Sequence, residues 1–202
     1  LVETAGFTPE FVVLPWSRAL LEIEQGEIHM MMNLSINEER KEVLFFIGPE
    51  RINKTILVVK NGDENLKIDS IPDLLKIATE KGKKFGIQRD AFYSEEFNNL
   101  LKDNNFAVNF NFVPEARLNP KMTSAGRILG FFEDSNSVKY QLVHNPDYKD
   151  LAIHPFVLST QEVYFGISKK GVSDETLQKL EQTFDELERD GILEEIRNRK
   201  WQ

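Results

Sequence analysis

The chain has 202 residues and a formal net charge of −8; 41% of its residues are hydrophobic, 15 are Phe and none is Cys. That length is enough to bury a core as one large domain or two small lobes. The acidic balance argues against nucleic acid as a partner, because phosphate binding needs a basic patch, and the lack of thiols excludes disulfides, thiolate catalysis and Cys-based zinc sites.

Residues 1–11, "LVETAGFTPEF", read as the tail of a helix running into a turn at Thr8-Pro9. An apolar strand is expected over residues 11–14, ended by Pro15. Residues 16–27 form an amphipathic pattern, with Leu20, Leu21 and Ile23 on one side and Gly26 as its stop. Residues 28–34, "IHMMMNL", are an apolar run bounded by turn signals, as in a buried strand. Strand, helix and strand in this order point to a parallel sheet. A polar turn over residues 35–42 leads into a strand near residues 43–46. A second strand, "KTILVVKNG", ends at the turn Asn61-Gly62-Asp63.

Ser70 as N-cap, Pro72 in the first turn and Gly82 at the end predict a helix between them. "KKFGIQ" reads as a strand, "SEEFNNLLKDNN" as a helix, and "AVNFNFV" alternates like a half-buried strand. "SAGRILGFFED" reads as a helix end, a glycine and a short buried strand with Phe131 and Phe132 in the core. "VYFGISKKG" is another strand and turn. Two helices close the chain, the first with Leu177, Leu180, Phe184 and Leu187 at helical spacing. The expectation is an α/β fold with mainly parallel strands. No apolar run approaches the roughly 18–20 residues of a membrane-spanning helix.

Ligands of parallel α/β sheets bind at the loops after the strands' C-terminal ends. A helix N-terminus there offers free N–H groups to anions. Ser35 and Asn37 add side-chain donors and a cap, and Arg40 adds a planar fork suited to a carboxylate. Trp16 follows an expected strand and supplies an aromatic wall. Together they suit a small zwitterion or organic acid. A blander account stands beside this one: Ser35 as cap only, Arg40 as a solvated helix residue, Trp16 as core. Glu133 and Asp134 also allow two accounts, a site for an ammonium group at Asp134 or a turn with an Asx cap. Side chains alternate along a strand, so Glu133 points away from Asp134.

"LPWSRALLEIEQGEIHMMMNLSINEERKEVLFF" resembles the extracellular solute-binding proteins of the polar amino-acid class that serve ABC transporters. "ILVVKNG", "IPDLLKIATEKGKKFGIQ", "GRILGFFED" and "YFGISKKG…LERDGILEEIRNRKW" resemble later segments of that family in the same order. The resemblance implies a periplasmic-binding-protein-like type II fold: two α/β lobes joined by two crossover strands, with a ligand cleft between them. Its lobes would be residues 1–51 with 163–202, and residues 52–162. It implies that Trp16 stacks on the ligand, that Asn33 and Ser35 contact its carboxylate, and that Arg40 pairs with that carboxylate. It places "QRDAFY" at the second lobe's ligand loop, with Arg89, Ala91 and Phe92 as candidates there, and gives the ligand's ammonium group to Asp134.

Some positions depart from the family's pattern. The family begins with a strand, an aromatic loop and a helix that precede the segments found here. Asp90 and Ala91 stand where Gly and Ser or Thr are usual, which removes a side-chain donor. His29 stands where Asp is usual and reads as structural, as do His144 and His154. Trp201 is expected to pack as an anchor. The implied function is binding of an amino-acid-like solute and its delivery to an ABC transporter permease, without catalysis, cofactor, metal or nucleic acid. The implied location is the periplasm or the outside of the cell, with any export signal beyond this chain. Two alternatives use the same fold: the sensing lobe of a membrane receptor, and a dehydratase acting on cyclohexadienyl acids, which needs a general acid.

Overall fold

The computed structural model describes residues 1–199, so the expectation for Trp201 lies outside the described residues. The chain divides into two compact units, Leu1–Ile52 with Glu162–Gln202, and Asn53–Gln161. Elements in chain order are α1 (Trp16–Gln25), β1 (Met30–Leu34), α2 (Glu38–Val43), β2 (Leu44–Lys60), α3 (Ile71–Lys81), β3 (Phe85–Gln88), α4 (Glu95–Leu100) and α5 (Asn104–Ala107). They continue with β4 (Phe110–Val113), α6 (Leu118–Ser124), β5 (Gly130–Asp134), α7 (Ser135–His144), β6 (Leu151–Ser168), α8 (Asp174–Arg189) and α9 (Ile192–Asn198). The chain passes from one unit to the other twice, within β2 and within β6.

In unit 1, α1 forms where the 3.6-residue apolar spacing predicts it. Gly26 at φ 89° lets its N–H turn back to the carbonyls of Glu22 and Ile23. Ile23 is buried with Met31, Leu34 and Leu44, and Trp16, Leu20 and Phe46 pack against them. A second apolar cluster joins Ala5, Ile47 and Ile167 to Leu177, Leu180 and Phe184, the stripe of α8. Each such side chain withdrawn from water contributes roughly 1.5–3 kcal/mol before chain entropy is counted.

Unit 1 departs from the sequence reading in three ways. No strand forms over residues 11–14; Phe11 is 81% and Val13 97% exposed. A strand's N–H and C=O groups need a neighbouring strand, and β-propensity alone does not supply one. β1 runs antiparallel to β6, with Met30 opposite Ile167 and Met31 opposite Gly166. It is buried on one face only, since Met32 is exposed. The strand near residues 43–46 and "KTILVVKNG" are one continuous 17-residue strand, β2.

In unit 2 the strand order is β6-β2-β5-β3-β4. β5 is antiparallel to β2 and parallel to β3, and β3 is parallel to β4. The sheet is therefore mixed rather than mainly parallel. Both faces are covered. One carries Phe85, Phe97, Phe106, Phe110 and Phe132; the other carries Ile56, Val58, Phe131, Val138 and Tyr148. Phe97 meets Phe106, Phe110 and Phe132 edge-on at centroid distances of 5.2–6.0 Å, the geometry aromatic quadrupoles prefer. α3 is capped as its sequence predicts: Ser70 accepts from the Asp73 N–H, and Gly82 closes it at φ 61°.

Candidate functional site

The β1–α2 turn of unit 1 brings Asn33, Ser35 and Arg40 together. Asn37 is the helix cap, accepting the Arg40 N–H through Oδ1 at 2.8 Å; Ser35 is not. Arg40 is buried, at 8% exposure, which rules out the solvated helix residue of the blander account. Its Nη1 donates to the Ser35 carbonyl at 2.8 Å. Burial pulls the Arg40 pKa down from the usual guanidinium range to about 10, against a smaller upward push from Glu39. Among the described residues no carboxylate forms an ion pair with Arg40. A buried guanidinium of this kind is costly unless an anion joins it.

Asn33 has left-handed backbone, φ 62°. Its N–H donates to Glu50 Oε2 and its Oδ1 accepts from Arg51 Nη2, both at 2.9 Å. The groups of Asn33 not engaged in these bonds are its carbonyl and its Nδ2. Trp16, at the first position of α1, is half-buried against the cluster of Ile23, Met31, Leu34 and Leu44. Leu34 of that cluster is the residue before Ser35.

In unit 2 the parallel neighbours β3 and β5 end at the same sheet edge, so the residues after Gln88 and after Glu133 gather there. Arg89 is exposed, and its N–H donates to the Val113 carbonyl at 2.8 Å. Ala91 packs on the apolar cluster and Phe92 is half-buried. The loop is pinned by hydrogen bonds that local patterns do not reveal. Tyr93 Oη accepts the Gln88 N–H at 2.7 Å, and Asn98 Oδ1 accepts the Tyr93 N–H at 2.9 Å. Ser159 Oγ donates to the Tyr93 carbonyl at 2.6 Å.

Asp134 ends β5 and caps α7: Oδ1 accepts the N–H groups of Asn136 and Ser137, both at 2.8 Å. The Asx-cap account of this residue therefore describes one of its oxygens. Thr55 lies opposite Asp134 and Ile56 opposite Glu133. By strand alternation Asp134 shares a face with Phe132, and Glu133 shares one with Ile56 and Phe131. Burial pushes the Glu133 carboxyl from 4.5 to about 7; the Asp134 N–H opposes the rise and the Asp134 charge adds to it. The Tyr93 hydroxyl is raised too, first by burial and then by the Glu133 charge, with its Gln88 bond opposing.

His154 is buried, with Nε2 at 2.7 Å from the Leu66 carbonyl and Nδ1 accepting the Phe156 N–H at 3.0 Å. His144 packs on Tyr140, and the His29 carbonyl accepts the Ser168 N–H. Among the described residues no group of three or more His, Asp or Glu could hold a metal ion, and no helix is long and apolar enough to cross a membrane. Sequence reasoning misses Glu50 and Arg51, whose contacts with Asn33 span 17 and 18 residues. It also misses Asn98; an amide at the end of the first turn after Ser94 is the available signal.

The family model for bacterial extracellular solute-binding proteins, family 3, matches residues 1–202. The chain is similar to the probable amino-acid-binding protein YxeM of Bacillus subtilis strain 168: 24% identity over 188 residues, 93% of this chain and 67% of the relative. Among solved structures it is similar to an ancestral arginine-binding protein bound to arginine, with TM-score 0.75, 23% identity, 96% of this chain and 81% of the other. It is similar to the amino acid ABC transporter substrate-binding protein AbpA from Streptococcus pneumoniae Canada MDR_19A, bound to L-arginine, with TM-score 0.76, 20% identity, 96% of this chain and 78% of the other. A histidine kinase sensor domain with similarity to periplasmic binding proteins gives TM-score 0.77, 18% identity, 97% of this chain and 79% of the other. These likenesses show the fold, α/β of the periplasmic-binding-protein-like type II class.

Proposed function

Since the chain belongs to the bacterial extracellular solute-binding proteins, family 3, we propose that it binds a small amino acid or related zwitterion and delivers it to the permease of an ABC transporter, in the periplasm or outside the cell. The observation that carries this reading is Arg40. A guanidinium held in a desolvated turn, anchored by one bond to Ser35 and free of ion pairs among the described residues, is prepared for a carboxylate. Asp134 is assigned to the ligand's ammonium group, Trp16 and Phe92 to its apolar part, and Asn33, Ser35, Arg89 and Ala91 to its surroundings. These residues hold charge and shape; no bond is made or broken. The names of the relatives make amino acids the first ligands to try, arginine and glutamine among them.

A thermal-shift panel of amino acids, small organic acids and polyamines tests this. A ligand at about 100 times its dissociation constant stabilises by about 2.7 kcal/mol, a shift of several degrees for a chain of this size. No shift with any amino acid would count against the reading.

The likeness to a histidine kinase sensor domain supports a second reading, a ligand-sensing domain of a membrane receptor. Stimulation of ATP hydrolysis by a reconstituted amino-acid ABC transporter on addition of the ligand-loaded chain would decide for transport. The raised Glu133 carboxyl is the one feature favouring a dehydratase. Its face, shared with Ile56 rather than Asp134, speaks against it. Turnover of a cyclohexadienyl acid by the purified protein would revive that reading.

A further inference from the structure

β1 contains an irregularity that the sequence does not announce. Met31 pairs with Gly166 and Leu34 with Tyr164, so Met32 and Asn33 together face the single residue Phe165. This is a β-bulge, one extra residue in one strand. Its second residue, Asn33, is the one with φ 62°, a conformation that side chains disfavour and glycine does not. A bulge re-aims everything after it, because a one-residue change of register exchanges the two faces of a strand. Here it sends Leu34 into the core and starts the turn that carries Ser35 and Arg40.

What holds the bulge is a pair of residues from β2. Glu50 Oε2 accepts the Asn33 N–H and Arg51 Nη2 donates to Asn33 Oδ1, each at 2.9 Å. Arg51 Nε lies 3.7 Å from Glu50 Oε1, so the two side chains brace each other. Both are mostly shielded from water, with side chains about one-fifth exposed, so the bonds are charge-assisted and little screened. The segment they come from is itself fixed. Arg197 of α9 donates through Nε to the Glu50 carbonyl at 2.6 Å and through Nη2 to the Pro49 carbonyl at 2.7 Å, and it pairs with Glu188 of α8.

We propose that Glu50 and Arg51 are positioning residues that lock the Asn33 bulge and thereby set the ligand-binding geometry of the β1–α2 turn. The pair need not touch ligand, and its effect on binding rests on the amino-acid-binding reading above. Asn33 then acts through its conformation, with its N–H and Oδ1 serving the clamp. The competing idea has the opposite sign. A carboxylate on the Asn33 N–H could instead occupy a place that a ligand carboxylate needs, and removing Glu50 would then tighten binding.

The experiment uses hydrogen exchange of the segment around residues 32–40 together with titration of L-arginine and L-glutamine. Variants are Glu50→Ala, Arg51→Met, Asn33→Gly and Glu50→Ala with Asn33→Gly, all in the full chain, with Glu50→Gln as the milder substitute if Glu50→Ala does not fold. Glu50→Ala is expected to speed exchange in that segment but not in α3 or α8. It is expected to weaken binding of a bound probe about tenfold, the size of one charge-assisted bond. In the Asn33→Gly background, where positive φ carries no side-chain penalty, the same change is expected to cost less than about twofold. A purely structural role would show equal losses in both backgrounds. Unchanged exchange in Glu50→Ala and Arg51→Met overturns the proposal, as does tighter binding by Glu50→Ala. If the wild-type chain binds neither probe, the amino-acid-binding reading loses support, while the exchange arm still decides on the clamp.

Discussion

The β1–α2 turn of unit 1 and the β5–α7 junction of unit 2 are both strand-to-helix corners, yet they carry opposite charges and divide their labour differently. At the first, Asn37 caps the helix and Arg40 carries the charge. At the second, Asp134 does both: it caps α7 through Oδ1 and is the residue assigned to a ligand's ammonium group. On the proposed assignment, stability and recognition are separable at the arginine corner and entangled at the acidic one. A substitution at Arg40 is then expected to read out binding, and one at Asp134 to read out binding only if the cap survives it.

The sharpest way to break this contrast is Arg40→Ala. It leaves the Asn37 cap in place and is expected to lose roughly 2–5 kcal/mol of ligand binding, the usual cost of removing one partner of a desolvated charge pair. Calorimetric titration checks it, with circular dichroism to confirm that the helix content is kept. Next in size is the pH behaviour of the acidic corner. The folded state holds the Glu133 proton more tightly than the unfolded chain, since its pKa is raised from 4.5 to about 7. The contribution of this carboxyl to stability is thus full below about 4.5, falls as pH rises through that window and stays lower above about 7. The loss is on the order of 3 kcal/mol. Glu133→Gln is expected to flatten this dependence, measured as urea unfolding at pH 5 and pH 8; an unchanged slope would contradict it.

Asp134 sharpens the contrast further. Asp134→Asn, which keeps an acceptor for the Asn136 and Ser137 N–H groups, is expected to hold stability within about 0.5 kcal/mol and to weaken binding of a zwitterion. Asp134→Ala is expected to lose the cap as well, about 1 kcal/mol. Equal stability of the two variants would separate Asp134 from the capping role. Asn37→Ala is expected to cost stability only, about 1 kcal/mol or less in chemical denaturation, with the bond from Arg40 to the Ser35 carbonyl kept.

Legibility in the sequence follows the range of the forces involved. α1, α3 and α8 are readable because their signals are local: an apolar stripe, a Ser cap or a left-handed Gly stop. α7 escapes recognition as a helix. It buries only Val138, so it has no stripe, and its marker is the cap at Asp134. β2 reads as two strands because "GPERINK" interrupts its apolar pattern, although the backbone continues through it. Strand direction is misjudged where it depends on distant partners, as in the antiparallel pairs of β1 with β6 and of β2 with β5. The β1–α2 turn itself stands out as an unusual cluster of Asn, Ser and Arg. The choice of Asn37 over Ser35 as cap is local, three residues from Arg40, but the burial of Arg40 and the bulge at Asn33 depend on contacts that no local window contains.

The most direct test is calorimetric titration of the common amino acids into the wild-type chain and into Arg40→Ala. At least one amino acid is expected to bind the wild type and to bind Arg40→Ala at least about tenfold more weakly. An amino acid bound equally well by both would contradict the assignment, because the carboxylate would then have no need of the buried guanidinium.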